Sequence, residues 1–403
     1  MHAVGIDVSK GKSMVAVMRP FGEVVASPFE VTHTDSELSK LAEMLKSLNG
    51  ETKVVMECTG AYHIPIAFTL RNAGLFVSTV NAQLIHGYGN NTIRKAKTDK
   101  ADAIKIANYG ITNWLELPEY SPELDIRQML KAFSRQYSKY TKLKTMLKNN
   151  LISLLDQTFP GVNELFKSPP RKSDGHEKWL DFACSFWHCE CVCSLTPKAF
   201  YERYRKWCKR SGYNFSQAKA EDIYADSCGH VFVMPKTDTT KLLITHAITQ
   251  VNAVAESIAV MAREMHNLAK KLPEYDIVMG FRGVGEVLGS QLMAEIGDIY
   301  RFPKKSSLVR FAGLEPVNNQ SGDYDGKRPI SKQGSPHLRK TLFQVMDCLL
   351  KHAPADDPVF QFLDRKRSEH KPYRSYMSAG SAKLLRIYYS RVKQFLDTYY
   401  DEM

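Results

Sequence analysis

The chain opens with the stretch Val4-Gly5-Ile6-Asp7-Val8, a β-branched apolar run that carries a carboxylate near its centre. Residues 13–18 and 24–31 form two more apolar runs, separated by Gly and Pro, and each is typical of a strand. The pattern then predicts a helix at 35–48, a strand at 53–56, a helix at 64–72 and a strand at 75–80. This order predicts an α/β region with a mixed sheet covered by helices.

Charge and length restrict the class of protein. A chain of 403 residues is long enough for two or three domains. Its 55 Lys and Arg exceed its 43 Asp and Glu, and the formal net charge of +12 favours an acidic polymer as partner. No apolar stretch is long enough to span a membrane, and no secretory leader precedes the first strand. We therefore expect a cytoplasmic protein with no membrane partner.

Two long helices are predicted from the heptad spacing of apolar residues. The first covers 121–156 and the second 239–273, where spacings of three and four alternate. We expect these coiled-coil helices to pair, within one chain or across a dimer. A basic stripe beside the first apolar seam is interpreted as solvated; it consists of Arg127, Lys131, Arg135 and Lys139.

Four carboxylates could hold a metal ion. Asp7 is costly to bury unless it meets a cation, and Glu57 ends a strand that would bring it to the same sheet edge. Asp99 and Asp102 lie three apart, so they share a face of a helix for which Thr98 is the predicted N-cap. Four oxygen ligands suit Mg²⁺ or Mn²⁺ and phosphoryl transfer. The alternative is that Asp7 is a strand-edge or loop carboxylate and that Asp99 and Asp102 lie at an exposed helix start. Cations that would contact a polyanion surround the Asp pair: Arg94, Lys95, Lys97, Lys100 and Lys105.

The segment 157–238, between the long helices, is interpreted as an inserted module rich in Cys, aromatic and basic residues. Its cluster of His188, Cys189, Cys191 and Cys193 has a poor spacing for zinc, so a partly buried group of thiols is the favoured interpretation. Residues 198–210 mix aromatic side chains with cations. They predict either an RNA contact surface, with bases stacked on the rings and Arg205, Lys209 and Arg210 on phosphates, or an amphipathic helix whose rings face a small core.

The last third of the chain, 274–403, contains Gly-punctuated short helices and a basic helical tail. The turn Phe281-Arg282-Gly283-Val284-Gly285 resembles a helix-hairpin-helix turn, whose backbone N–H groups at Gly283 and Gly285 would grip a phosphate; an ordinary tight turn is the alternative. Ser321, beside a glycine, could be a nucleophile, or the Ser-Gly pair could simply form a turn. Further cations suited to phosphate contact are Lys327, Arg328, Lys332 and Arg339.

Four motifs carry a family resemblance. They are GIDVSK at 5–10, VMECTG at 55–60, KTDKADA at 97–103, and the block from AGLEP at 312–316 through QSG at 320–322 to ISK at 330–332. In this order and spacing the chain resembles the insertion-sequence 110 family of DEDD transposases. The resemblance covers most of the chain but not the segment 157–238, and it is loose after residue 356.

The resemblance implies an RNase H-like domain similar to the Holliday-junction resolvase RuvC at 1–120 and a C-terminal transposase domain at 274–403. It implies that Asp7, Glu57, Asp99 and Asp102 are the metal-binding catalytic tetrad and that Ser321 links transiently to DNA. It further implies a homo-oligomer, a dimer or tetramer, with a composite site. A structured bridge RNA would guide it by pairing with donor and target DNA.

Three other functions stay open at this point. A RuvC-like junction nuclease would use the carboxylates and water without a covalent intermediate. A nucleic-acid-binding scaffold would keep the carboxylates without catalysis. An actin-like sugar kinase ranks last because no later glycine-rich segment for adenosine is present and the net charge suits nucleic acid better.

Overall fold

The computed structural model describes residues 1–57, 62–80, 82–88, 98–120, 125–317, 320–321, 324–325 and 329–401. The chain divides into two units, Met1–Pro122 and Glu123–Met403. Among the helices within the described ranges, none is long and apolar enough to cross a membrane.

A five-stranded sheet forms the centre of the first unit. Its strands are β1 His2–Val8, β2 Lys12–Met18, β3 Val24–Thr32, β4 Thr52–Glu57 and β5 Phe76–Val80. They are arranged in the order β3-β2-β1-β4-β5; β2 is antiparallel to both its neighbours, and β4 and β5 run parallel to β1. The mixed sheet with covering helices is therefore confirmed, and its topology is that of the RNase H-like class.

The continuous apolar runs of the central strands explain why helices cover both faces of the sheet, since consecutive side chains point to opposite faces. The helices are α1 Asp35–Lys46, α2 His63–Asn72, α3 Ala82–Gly87 and α4 Asp99–Thr112. Val54 and Met56 of β4 join the core on the side of α1 and α2. Val55, between them in sequence, contributes to a second core with Ile106 of α4. This period of two places α4 on the opposite face of the sheet.

The second unit is almost entirely helical. Its helices are α5 Asp125–Leu155, α6 Lys178–Ser185, α7 Glu190–Cys193, α8 Pro197–Ser211, α9 Gln217–Gly229, α10 Asp238–Ala269, α11 Tyr275–Met279, α12 Glu286–Ile296, α13 Lys305–Phe311, α14 Pro336–His352, α15 Pro358–Ser368 and α16 Tyr373–Asp401. Two short strands, β6 Gln320–Ser321 and β7 Tyr324–Asp325, form a hairpin.

The two long helices α5 and α10 pack along each other within one chain. Leu130, early in α5, shares a core with Met265, late in α10, together with the C-terminal helices. Leu151, late in α5, shares a different core with Ile244, early in α10, and with α6 to α9. The two helices are therefore antiparallel, and each end of the pair supports a separate core.

The basic stripe of α5 is not simply a solvated surface. The guanidinium of Arg127 is buried, and its Nη1 lies 2.6 Å from Glu274 Oε1 and 3.2 Å from the carbonyl oxygen of Gly297. Arg135 makes a bidentate pair with Glu295 of α12. The interpretation of the stripe as solvated is wrong for these two residues, because carboxylates distant in sequence receive them.

Candidate active site

The close approach of α4 to β1 depends on a glycine. A Cβ atom at Gly5, in the middle of β1, would overlap the backbone of Ala103 and Ala107 in α4. Further along the helix, a Cβ at Gly110 would lie 3.5 Å from the Cβ of Ala3, near the start of β1. The helix therefore runs antiparallel to β1, and its first turn points toward the end of the strand where Asp7 lies.

Three elements deliver the predicted carboxylates to one edge of the sheet. The parallel register pairs Ile6 with Met56, so the next residues along the two strands, Asp7 and Glu57, are neighbours at their carboxyl ends. Asp99 and Asp102 lie in the first turn of α4, over the same end. We call Asp7, Glu57, Asp99 and Asp102 the carboxylate edge.

Two features support the position of the first turn of α4. Thr98 is its N-cap, as predicted, and the Thr98 hydroxyl accepts a hydrogen bond from the Ala101 N–H at 3.2 Å. Lys12, at the start of β2, lies 2.7 Å from Glu30, and Glu30 together with the more distant charge of Asp99 raises the pKa of the Lys12 ammonium. Lys12 is therefore a cation within electrostatic range of Asp99, and no sequence motif pointed to it.

Carboxylate oxygens are the donors that a hard divalent cation prefers. The backbone brings four of them to one edge, which fits such an ion in donor type. Within the part of the chain that the structure describes, no three His, Cys, Asp or Glu side chains are close enough together to hold a metal. The elements therefore converge on the edge, while the four side chains do not form a closed ligand set.

A second candidate site, in the second unit, is the stretch 313–335, which we call the serine segment. Its two ends are joined in antiparallel fashion: the Val317 N–H donates to the Pro329 carbonyl at 2.8 Å, and the Lys332 N–H to the Gly313 carbonyl at 3.0 Å. Beyond this base, the backbone of Ser321 pairs with Tyr324 in the hairpin of β6 and β7. Ser321 is therefore carried on a hairpin whose base is fixed by backbone hydrogen bonds.

Two glycines close the base of the serine segment. Gly313 has φ +66°, in the left-handed region that glycine tolerates. A Cβ at Gly334 would overlap the carbonyl oxygen of Phe311, so only glycine fits this close approach. The Ser335 N–H donates to the same Phe311 carbonyl at 2.8 Å. The chain thus leaves α13 and enters α14 at nearly the same point.

A buried carboxylate links this base to the long helix α5. Glu295 of α12 is almost fully buried, and its Oε1 and Oε2 lie 2.6 and 2.8 Å from Nε and Nη2 of Arg135. The Ser335 hydroxyl donates to Glu295 Oε2 at 3.0 Å and accepts from the Leu338 N–H at 3.1 Å. The N-cap of α14, which is the end of the serine segment, is therefore bonded to α5 through Glu295. The sequence offered no pattern that pairs these residues.

The other residues predicted to contact nucleic acid differ in their surroundings. Arg94, Lys95, Lys97, Lys327 and Arg328 lie outside the described residues. Lys100 and Lys332 are exposed. The Arg339 guanidinium is engaged internally: its Nη1 donates to the Ala312 carbonyl at 2.8 Å, and burial lowers its pKa.

The predicted glycine turn joins α11 to α12. Gly283, with φ +74°, packs against α14, since a Cβ there would lie 3.1 Å from Leu349 Cγ. Gly285 is the N-cap of α12 and has open space around it. The first turn of α12 already contains the carboxylate of Glu286. Of the two glycines, only Gly285 presents a free face.

The Cys-rich cluster of the module is a buried structural group. The ring of His188 bonds to backbone at both nitrogens: Nδ1 accepts from the Glu190 N–H at 3.1 Å and Nε2 lies 3.0 Å from the Met234 carbonyl. Burial raises the pKa of the Cys189 thiol to about 12. The interpretation as partly buried thiols is confirmed, since Cys189 and Cys191 are buried and free.

The basic and aromatic stretch forms α8, and its rings face inward. Phe200, Tyr204 and Trp207 are all at least 97% buried and belong to the core that α6 to α9 share with the long helices. The amphipathic-helix interpretation is therefore confirmed, and stacking of bases on these three rings is excluded by their burial. Arg205, Lys209 and Arg210 are exposed on the outer face.

Two family models match the chain. One, described as Transposase and named for the DEDD domain of IS110 transposases, matches residues 4–160 and includes the carboxylate edge. The other, described as Transposase IS116/IS110/IS902 family, matches residues 275–360 and includes Ser321. The two matched segments together make up more than half of the chain.

Several curated proteins are similar over different lengths. The transposase for insertion sequence element IS1111A of Coxiella burnetii is 32% identical over 24% of this chain and 27% of its own length. The mini-circle putative transposase for IS117 of Streptomyces coelicolor is 21% identical over 91% of this chain and 87% of that protein. The pilin gene-inverting protein of Moraxella lacunata is 28% identical over 85% of this chain and 80% of that protein.

Among solved structures, RuvC of Thermus thermophilus in complex with a Holliday junction substrate is similar to 30% of this chain and 99% of its own. The identity is 12% and the TM-score is 0.24.

Proposed function

The chain belongs to the IS116/IS110/IS902 family of transposases, and on that premise we propose that it cuts and rejoins DNA with the carboxylates of Asp7, Glu57, Asp99 and Asp102 and the hydroxyl of Ser321. The observation that carries the proposal is the carboxylate edge. Two strand ends and a capped helix start, which are separate in sequence, lie at the same end of the sheet. Each of them carries acidic residues there.

The proposed task of the carboxylate edge is to hold Mg²⁺ or Mn²⁺. The ion, when bound, would stabilise charge on the attacking and leaving oxygens of the phosphate. The chain's own contribution is the placement of the donors: Gly5 lets α4 lie against β1, and Thr98 fixes the first turn of the helix.

The proposed task of Ser321 is nucleophilic. Its Oγ would form a bond to the phosphorus of a DNA phosphodiester as the bond between that phosphorus and a DNA sugar oxygen breaks. The proton lost by the Ser321 hydroxyl is balanced by the proton that the departing oxygen gains, so the DNA end leaves as a hydroxyl. Because one phosphodiester replaces another, the reverse attack by a DNA hydroxyl would rejoin strands without an external energy source. The similarity to a protein named for gene inversion, over 85% of this chain, supports rejoining, since an inversion requires that both cut ends be sealed again.

We also propose guidance by a structured bridge RNA that pairs with donor and target DNA. The net charge of +12 is compatible with two polyanionic partners. Contacts to their phosphates are assigned to the cations Arg94, Lys95, Lys97, Lys100, Lys327, Arg328 and Lys332. A homo-oligomer, a dimer or tetramer, would combine the carboxylate edge of one protomer with Ser321 of another.

The experiment is recovery of protein-linked DNA under denaturing conditions from cells that carry the element with intact flanks. Wild type should give an adduct and recombined DNA, and Ser321→Ala should give neither. Ser331→Ala is the matched control, since it removes a hydroxyl from the same segment and should keep both products. Recombination that persists in Ser321→Ala would favour the carboxylate-only junction nuclease instead.

Two further arms test the partners. Sequencing of RNA that copurifies with the protein should return transcripts of the element's ends, and random cellular RNA would contradict the guide. Coexpression of Ser321→Ala with Asp99→Asn should restore recombination if one protomer supplies the serine and another the carboxylates. Absence of restoration would contradict the composite site while leaving the single-variant results intact.

A further inference from the structure

We propose that the outer face of α8 binds the phosphate backbone of a double-helical nucleic acid without touching its bases. The inference rests on the proposed function as a nucleic-acid enzyme and concerns the module between the long helices, which neither matched family segment covers beyond residue 160. Its starting point is the charge of the helix. Six cations project from α8, namely Lys198, Arg203, Arg205, Lys206, Lys209 and Arg210, and all are exposed.

These cations are hardly neutralised by the protein itself. The only acidic residue of α8 is Glu202, which lies 3.4 Å from Arg205. For Lys198, Lys206, Lys209 and Arg210, the described residues provide no carboxylate within 4.0 Å. The helix therefore presents an uncompensated positive surface.

The spacing of the cations follows the helix axis. Arg203, Lys206 and Arg210 form one row, at positions three and four apart, and Lys198, Arg205 and Lys209 form a second row beside it. Residues three or four apart on a helix are about 5–6 Å apart at Cβ, where like charges repel and destabilise the helix. This applies to the whole first row and to Arg205 and Lys209 in the second. The helix dipole favours cations in the last turn, which accounts for Lys209 and Arg210 only. A row of phosphates would relieve the repulsion along the whole face.

The buried rings decide which form of nucleic acid fits. Proteins that bind single strands stack bases on exposed aromatic side chains. Here Phe200, Tyr204 and Trp207 are committed to the core. Tyr201, the remaining ring of α8, is half-buried against the same core. Two other rings contact the cations: the Arg203 guanidinium lies 5.4 Å from the ring centre of Phe186, and that of Arg205 lies 4.7 Å from that of Phe215. The face therefore offers cations for phosphates and no fully exposed ring for stacking, so a double helix with its bases turned inward is the fitting ligand.

The neighbouring helix gives the surface a boundary. α9 packs beside α8 and exposes the carboxylates of Glu221, Asp222 and Asp226. A polyanion on α8 would be repelled by α9. The charge difference between the two helices therefore restricts the binding surface to one side of the module and orients the duplex on it.

The test measures salt-dependent binding of the full chain to short fluorescent probes of unrelated sequence: a DNA duplex, an RNA hairpin and a single strand of thymidines. The variant Lys206→Ala/Lys209→Ala/Arg210→Ala removes three unpaired cations without touching the buried rings. The control Arg263→Ala/Lys270→Ala/Lys271→Ala removes the same charge at exposed positions in α10 and the turn after it. Circular dichroism and thermal melting should show both variants folded as wild type.

We expect the α8 variant to bind a duplex roughly tenfold more weakly and to lower the slope of log Kd against log salt by about 2–3, since each lost phosphate contact lowers it by about 0.9. The control should keep the slope. The probe with the larger loss, DNA or RNA, identifies the source of the duplex. Equal losses in both variants, an unchanged slope, or a loss confined to the single strand would overturn the inference. A wild type that binds none of the probes would instead overturn the proposed function.

Discussion

In the first unit, the four carboxylates stand at the ends of regular elements, whereas in the second unit Ser321 is carried on a hairpin between two glycines. The sheet register alone makes Asp7 and Glu57 neighbours, and one N-cap places the helix turn that carries the Asp pair. The serine segment has no comparable frame. Its base is held by a few backbone hydrogen bonds and by Ser335, which bonds to a buried carboxylate.

The carboxylate edge and the serine segment should therefore respond differently to substitution. Many hydrogen bonds between neighbouring strands fix the backbone at the carboxylate edge. A single substitution of a side chain there should therefore alter the catalytic chemistry without moving the backbone. The position of the serine segment depends on the ion pair of Glu295 and Arg135, residues 160 apart in sequence. A single substitution at Glu295 or Arg135 should therefore first change the position of the serine segment.

The largest effect is expected at the carboxylate edge. Asp99→Asn keeps a polar side chain in the first turn of α4 but removes one anionic donor. Loss of an outer partner of a metal ligand already costs about 10–100-fold, so loss of a ligand should lower recombination by at least about 100-fold. Asp35→Asn, at the same position in the first turn of α1, is the control and should keep full activity with an unchanged melting temperature. Activity retained in Asp99→Asn would remove it from the proposed tetrad.

The two ion pairs of α5, one fully buried and one partly exposed, allow the effect on stability to be separated from the effect on the position of the serine segment. Glu274→Gln leaves the buried charge of Arg127 without its carboxylate and should cost about 3–5 kcal/mol of unfolding free energy. Glu295→Gln should cost less, about 1–3 kcal/mol, because the Arg135 side chain is 39% exposed and can reach water.

The order should reverse for the serine–DNA adduct, which Glu295→Gln should lower more than Glu274→Gln, since only Glu295 bonds to the base of the serine segment. Urea unfolding and adduct yield measured on the same preparations check this. Adduct yields that simply follow the stability of the two variants would mean that Glu295 has a structural role alone.

A smaller effect is expected at the contact of α4 with β1. Gly5→Ala puts a methyl group where the backbone of α4 lies, and overpacking of this kind costs about 1–3 kcal/mol. Gly87→Ala in the same unit meets open space and should stay within about 0.5 kcal/mol of wild type. Thermal unfolding of the two variants measures the difference. Equal stability would mean that α4 can move off the sheet without cost.

Local pattern predicted most of the first unit. Apolar, β-branched runs identified the five strands of the first unit to within about two residues, and the capping chemistry of Thr98 identified the start of α4. The carboxylate edge followed from these elements because parallel strands end on the same side. Gly5, in the interior of β1, is a further sequence signal of a close backbone approach.

The sequence could not distinguish between two environments that suit the same residue types. The rings of α8 suit either base stacking or a core, and only packing against α6 to α9 shows that they are core. The arginines of α5 suit either solvent or an ion pair, and Glu274 and Glu295 are distant in sequence.

Local periodicity and motifs in order were therefore enough to predict the five strands of the first unit, the long helices α5 and α10, the candidate acidic residues and the family. The folded chain settled which charges are buried, which rings face solvent and what holds the serine segment. For the buried charges the partners lie 147 and 160 residues away, and for the rings and Ser335 they lie in other helices, so no local preference encodes them.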